Sequence, residues 1–160
     1  MRANVFWSKT VKGLTSVSML AILGCVIFLL DISLWSLFGV VIILSAIMYA
    51  IYLAPNFIRI TDNALILHKL LGRLTFPFDK IKTIDIYQLE GTHARLCGSG
   101  GLFGYTGLFY NKQIGKYSSY VGSYRQIFLI TTIDGKKYLL SCENRDLVVS
   151  LVKAKLTKSA

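Results

Sequence analysis

The run at residues 95–117, "RLCGSGGLFGYTGLFYNKQIGKY", carries six of the chain's 13 glycines. It also carries Phe103, Tyr105, Phe109, Tyr110 and Tyr117. A phosphate-cradling loop is the first chemistry that so many glycines suggest. However, "GSGGLFG" matches neither G-x-G-x-x-G nor G-x-x-x-x-G-K-[ST]. A phosphate loop also needs a following helix whose N-terminal amides face the anion, and "GLFYNK" reads as strand. The glycines are therefore expected in a loop or distorted strand, where φ is positive or two chains approach closely.

On the C-terminal side, "YRQIFLITTIDGKKYLLSC" is the clearest hairpin in the chain. Ile127, Leu129 and Thr131 alternate with Phe128 and Ile130, and Asp134-Gly135 supplies the tight turn. The period then changes. In "SCENRDLVVSLVKAKL", Leu147, Val148, Leu151 and Val152 recur at helical spacing. Ser141 is the expected N-cap. Glu143 and Asp146 near the start, with Lys153 and Lys155 near the end, complement the helix dipole.

On the N-terminal side, "NFIRIT", "ALILHK", "RLTFPF" and "KIKTIDIYQLE" read as strands separated by Asp-Asn and Gly turns. Pro77 makes the third an edge strand or an early end. About seven strands and one helix in roughly 100 residues predict a sandwich or partly open barrel capped by the C-terminal helix.

Upstream lies a different composition. Residues 13–53 contain one charge, Asp31, whereas the whole chain is 16% charged, with mean hydropathy +0.55. "GLTSVSMLAILGCVIFLL" and "LWSLFGVVIILSAIMYAIYL" each approach the ~20 residues that cross a bilayer. One continuous helix would set Asp31 at mid-membrane, at a cost of about 3 kcal/mol. Two spans at 13–54, with a turn near 31–33, avoid this. A cleaved signal peptide is the rival, since "ILGC" resembles a lipoprotein box. The apolar run continues past Cys25, however, and Leu23 is bulky for such a box. Arg2, Lys9 and Lys12 precede the spans, Arg59, Lys69 and Arg73 follow, and the turn holds no cation. Both termini and the β domain are expected in the cytoplasm, with the spans in an inner membrane. Trp7, Trp35, Tyr49 and Tyr52 suit the interfaces. The expected organisation is a basic N-terminus (1–12), the helical hairpin (13–54), a mainly-β domain (56–156) and a tail (157–160).

Catalytic and metal chemistry find little support in the residues. His93 and Cys97 offer two ligands, His68 is distant, and no metal or cofactor is expected. His93 and Ser99 are sequence neighbours without a triad. Asp62, Asp79 and Asp134 occupy turn settings. Cys25, Cys97 and Cys142 show no disulfide spacing and are expected as free thiols, with Cys97–Cys142 pairing as the open alternative. From residue 57 onward, 15 basic residues face seven acidic ones. Such an excess suits an anionic membrane surface. With no reading helix visible, nucleic acid is not an expected partner. Arg95, Phe103, Tyr105, Lys112, Lys116 and Arg125 are the candidate contacts to a protein partner or to lipid headgroups, the exposed alternative to core packing of "LFGY".

These residues resemble a bacterial pleckstrin-homology-like (PH-like) domain over residues 56–156. The resemblance is carried by Arg95, Tyr105, the glycines at 98, 100, 101, 104, 107 and 115, and the Ser141-led final helix. It implies two nearly orthogonal sheets closed by a helix, often behind two membrane spans, and a binding module without catalysis. It does not imply phosphoinositide binding, because the first hairpin, "TDNALILHK", offers only Lys69. Cys142 and Glu143 depart from the family's proline-containing helix start. The expected function is a membrane-anchored binding module. The alternatives are an assembly protein forming a homo-oligomer, or a regulatory subunit of a membrane enzyme. Gly13, Gly24 and Gly39 would permit close helix contacts, although the spans contain no G-x-x-x-G.

Overall fold

Short runs of β-branched and aromatic residues, punctuated by Gly, Asn and Asp turns, fold into two sheets. The computed structural model describes the backbone at residues 1–29 and 34–159, with side chains outside 28–36 and 158–160. The turn expected at 31–33, with Asp31 and the Trp35 side chain, lies outside the described residues.

The chain opens with β1 (Arg2–Asn4), then two apolar helices, α1 (Lys9–Leu29) and α2 (Leu34–Leu53). The first sheet continues with β2 (Pro55–Ile60), β3 (Ala64–Lys69) and β4 (Arg73–Pro77), and its order is β1-β2-β3-β4. All its pairs are antiparallel. Proline cannot donate to a ladder, and β4 is indeed an edge that stops at Pro77. The second sheet comprises β5 (Ile81–Tyr87), β6 (His93–Gly101), β7 (Gly104–Asn111), β8 (Gly115–Val121), β9 (Ile127–Thr132) and β10 (Lys137–Ser141). Its order is β5-β9-β10-β8-β7-β6, and β10 runs parallel to β8. The helix α3 (Arg145–Ser159) closes the domain. The mainly-β class with two sheets and a C-terminal helix is as expected.

The described strands outnumber the expected seven for two reasons. The glycine run forms three strands, β6 to β8, the distorted-strand alternative and not the loop. The N-terminal residues, read as a basic segment outside the domain, supply β1. Its register places Ala3 opposite Ile58 and Asn4 opposite Phe57. The α1–α2 pair is thus inserted between two adjacent strands of one sheet.

Burial follows the strand alternation. Phe128 and Ile130 of β9 and Leu140 of β10 face the first sheet and α3, joining Val5, Ile58, Leu65, Leu67, Phe76 and Ile84 in the larger core. Ile127 and Leu139 face the other way, onto Phe109, Tyr117 and Val121. Both faces of β9 are covered, and its "IFLI" is accordingly continuous in apolar character.

Two helix expectations change. α3 begins at Arg145, so Ser141 is not its cap. Ser141 ends β10, and its hydroxyl accepts the Gly122 N–H at 2.9 Å. The buried stripe is Val148, Val149 and Val152, with Leu156 half-buried, while Leu147 and Leu151 stay exposed. Lys153 and Lys155 tie α3 to Asp85 and Asp62 at 2.7 and 2.9 Å.

All three cysteines are free, Cys97 exposed on β6 and Cys142 buried after β10. Burial pushes the Cys142 thiol from 9.0 up to about 12, and the Tyr117 phenol from 10.0 up to about 12. Both groups stay protonated in the fold at pH values where the unfolded chain has ionised. Their contribution is intact below pH 9 and is lost as pH rises through the window from 9 to about 12. Denaturation midpoints measured across that window are expected to fall with rising pH. At pH 7 maleimide is expected to modify Cys97 quickly and Cys142 only after unfolding.

Candidate functional site

The glycine run folds as a hairpin, β6–β7, whose tip meets the helices. Gly98 and Gly107 stand opposite each other in its ladder. Both take positive φ, +115° and +120°. A Cβ on Gly98 would lie 2.2 Å from the Thr106 carbonyl oxygen and 2.7 Å from the Gly107 Cα. A Cβ on Gly107 would lie 2.3 Å from the Cys97 carbonyl oxygen. Only a glycine pair lets the two backbones come this close. The resulting bend carries the hairpin tip, Leu102-Phe103, toward α1.

Thr15 of α1 holds that tip. Its hydroxyl accepts the Phe103 N–H at 3.0 Å and donates to the Gly101 carbonyl at 3.4 Å. Trp7 stacks edge-on against Phe103, with centroids 6.1 Å apart. The indole N–H of Trp7 donates to the Pro55 carbonyl at 3.0 Å. Thr15 and Trp7 are the residues that sequence reasoning missed in this role. A threonine inside an apolar run carries no sign of its tertiary partner, and Trp7 was read as an interfacial ring.

The candidate contact residues divide into separate groups. Phe103 is half-buried at the tip, where its ring meets that of Trp7. Tyr105 is half-buried and its ring lies 4.4 Å from that of Tyr124. Tyr105 and Arg125 share a cleft of about 530 Å³ with Phe6 and Lys9. Arg95 is exposed on β6 and folds over Gly100, where a Cβ would come within 2.7 Å of its guanidinium. Arg95 lines a second groove, of about 450 Å³, between the hairpin and the two helices. Lys112 and Lys116 are exposed at the β7–β8 turn, a strand length of roughly 23 Å from the Leu102-Phe103 tip.

Cations collect where the β domain meets the helices. Lys69 sits over the Tyr52 ring at 3.9 Å. The Leu70 N–H, in the turn that leads to Arg73, donates to the Ala54 carbonyl just past α2. Lys9 and Lys12 lie in the first turn of α1. With Arg95 and Arg125 they form a basic rim around the helix bases.

His93 is engaged as a structural residue. Its Nδ1 lies 2.6 Å from the Tyr117 hydroxyl and its Nε2 3.2 Å from the Asn111 amide nitrogen. The amide also donates to the Glu90 and Thr92 carbonyls and accepts the Gln113 N–H. Among the described residues, no three His, Cys, Asp or Glu side chains gather as a metal site.

A family model described as bacterial PH domain matches residues 57–156. No curated protein and no solved structure matches the chain significantly. The chain belongs to the bacterial PH domain family, whose PH-like domains are in general non-catalytic binding modules.

Proposed function

We propose that the chain is a membrane-anchored, non-catalytic binding module. In this reading α1 and α2 form a transmembrane hairpin in the inner membrane, and the PH-like domain works on the cytoplasmic side against the anionic membrane surface or a protein partner. Pairing of β1 with β2 is the observation that carries it. The Val5 N–H donates to the Asn56 carbonyl at 2.9 Å, across the whole inserted helix pair. The chain therefore leaves and rejoins the domain at one place, and the number of membrane crossings between must be even.

Zero crossings would leave a large apolar surface in water. Val17, Leu20 and Ile42 are 66%, 70% and 68% exposed. Each such side chain forfeits about 1.5–3 kcal/mol while it stays in water. By length and composition α1 meets the requirement for a span over Lys9–Ile27, with mean hydropathy 1.8. The described apolar part of α2, Leu37–Leu53, is shorter. Two crossings reconcile that exposure with the shared exit point. The basic rim supports a cytoplasmic, lipid-facing domain. Tyr105, Arg125, Phe103 and Arg95 lie on the membrane side of the domain in this reading, and Lys112 and Lys116 point to a contact away from it.

Impermeant maleimide labelling tests the topology. One variant keeps Cys97 as its only exposed thiol, and the other carries Ser33→Cys in a background without Cys25 and Cys97. Ser33→Cys is expected to label in intact spheroplasts and Cys97 only in inverted vesicles. Labelling of both from the same side would overturn the hairpin.

An oligomer is the second reading, favoured by one observation. β6 is an outer strand of the second sheet. Leu96, Leu108 and Tyr110 beside its ladder are 52%, 39% and 42% exposed. An uncovered apolar edge is a template for strand addition. Mass measurement in mild detergent separates a closed oligomer from a monomeric adaptor.

A further inference from the structure

We propose that the groove between the β6–β7 hairpin and the α1–α2 pair binds one anionic phospholipid. Its phosphate would lie against Arg95 and an acyl chain along the helices. This rests on the membrane reading above and names a ligand for that face of the domain.

The groove changes character along its length. Its wall is mainly apolar, from Leu14 of α1 and Ala46, Ala50 and Leu53 of α2, with Ser18 and Tyr49 beside them. Its lip is polar, formed by Arg95 and Ser99 of β6. Ala46 and Ala50 are one helical turn apart, and their small side chains leave the room. The volume, about 450 Å³, accommodates a headgroup and the first part of a chain. Thr15 fixes the hairpin to α1, so the width of the groove is set before any ligand arrives. Preformed sites avoid the ordering cost that weakens adaptable ones.

Electrostatics select the headgroup. Among the described residues no carboxylate pairs with Arg95, and no acidic side chain lines the groove. The planar fork of a guanidinium suits a phosphate diester. A zwitterionic lipid would bring its own cation to a lip without a carboxylate to receive it. A lipid with net negative charge has no such penalty. Gly100 permits the arrangement, because a Cβ there would push the Arg95 guanidinium out of this position.

Native mass spectrometry of the full chain, released from mild detergent, provides the test. The probe is an equimolar mixture of phosphatidylglycerol and phosphatidylcholine with the same acyl chains. The wild-type chain is expected to retain one phosphatidylglycerol, about fivefold or more over phosphatidylcholine, the factor expected of a single well-placed cation. Arg95→Gln, a change on an exposed strand, is expected to abolish the preference while lipid is still retained. Ala46→Phe, which fills the apolar wall from an exposed position, is expected to abolish retention of either lipid. Lys112→Gln at the far turn is expected to change nothing. Equal retention of the two lipids by wild type, or an undiminished preference in Arg95→Gln, would overturn the proposal. Carbonate extraction of the same membranes keeps the two readings apart. A chain that resists extraction but shows no preference refutes the groove alone, and a chain that is extracted refutes the membrane reading as well.

Discussion

Gly98→Ala and Gly107→Ala are each expected to destabilise the protein by about 3–5 kcal/mol, a large part of the 5–15 kcal/mol that holds an ordinary domain together. Two penalties coincide. A side chain at φ +115° or +120° is strained wherever it sits. Here it also meets backbone, at 2.2 Å from the Thr106 oxygen or 2.3 Å from the Cys97 oxygen. Backbone in a paired strand cannot swing aside as a long side chain can. Gly115→Ala is the control. It too has positive φ, but a Cβ there meets nothing within 4 Å. Only the conformational strain remains, about 1 kcal/mol. Denaturant unfolding of the three variants in detergent should therefore separate steric from conformational cost. Equal destabilisation at Gly107 and Gly115 would refute the close approach. The first two variants are also expected to release the hairpin tip from Thr15.

That pair explains why the run at 95–117 reads so poorly as strand. A strand is recognised by alternation, and alternation assumes negative φ throughout. Gly98, Gly101, Gly104 and Gly107 all take positive φ, and they recur every third residue rather than every second. The alternation is therefore broken, and a register shift between Arg95 and Cys97 breaks it again, although the ladder runs from His93 to Gly101. β9 and β10 were legible because their pairing is local and Gly135 supplies the turn. α3 was legible as a helix but not in its boundary. Ser141 has the chemistry of a cap, and the tertiary partner Gly122 uses that hydroxyl instead.

The candidate contacts were legible as residue types but not as a constellation. Arg95 and Lys112 are 17 positions apart in the sequence, yet Arg95 pairs with Phe109, three residues before Lys112, and only its side chain turns away, toward Gly100. Composition reports a basic excess and cannot say which cations share a rim. Nor could it foresee the partner of Phe103, because the ring it meets, Trp7, lies on the far side of both helices in the sequence.

The largest long-range surprise, β1, yields the second prediction. A chain limited to residues 57–156, the part that matches the family, is expected to be unfolded or molten in solution. The first eight residues stitch three places together. Ile60 donates to the Met1 carbonyl at 2.9 Å, Glu143 to the Asn4 carbonyl at 2.8 Å, and Ser8 to the Gly122 carbonyl at 3.0 Å. Ala3 and Val5 are buried in the larger core. Their removal opens that core and strips partners from β2, from the start of α3 and from the end of β8. Two buried apolar side chains and several orphaned backbone groups amount to about 4–8 kcal/mol, comparable with the whole stability of a small domain. A second chain, in which residues 1–8 are joined to residue 54 by a short Gly-Ser linker in place of the helices, should restore cooperative unfolding. Equal stability of the two chains would show β1 to be dispensable. If β1 is required, folding of the first sheet waits until the helix pair between β1 and β2 has been made. β1 leaves the ribosome before α1, but its partner β2 follows α2. In the proposed membrane reading, the first sheet would close only after the helix pair had inserted and returned, and a folded domain would report a finished hairpin.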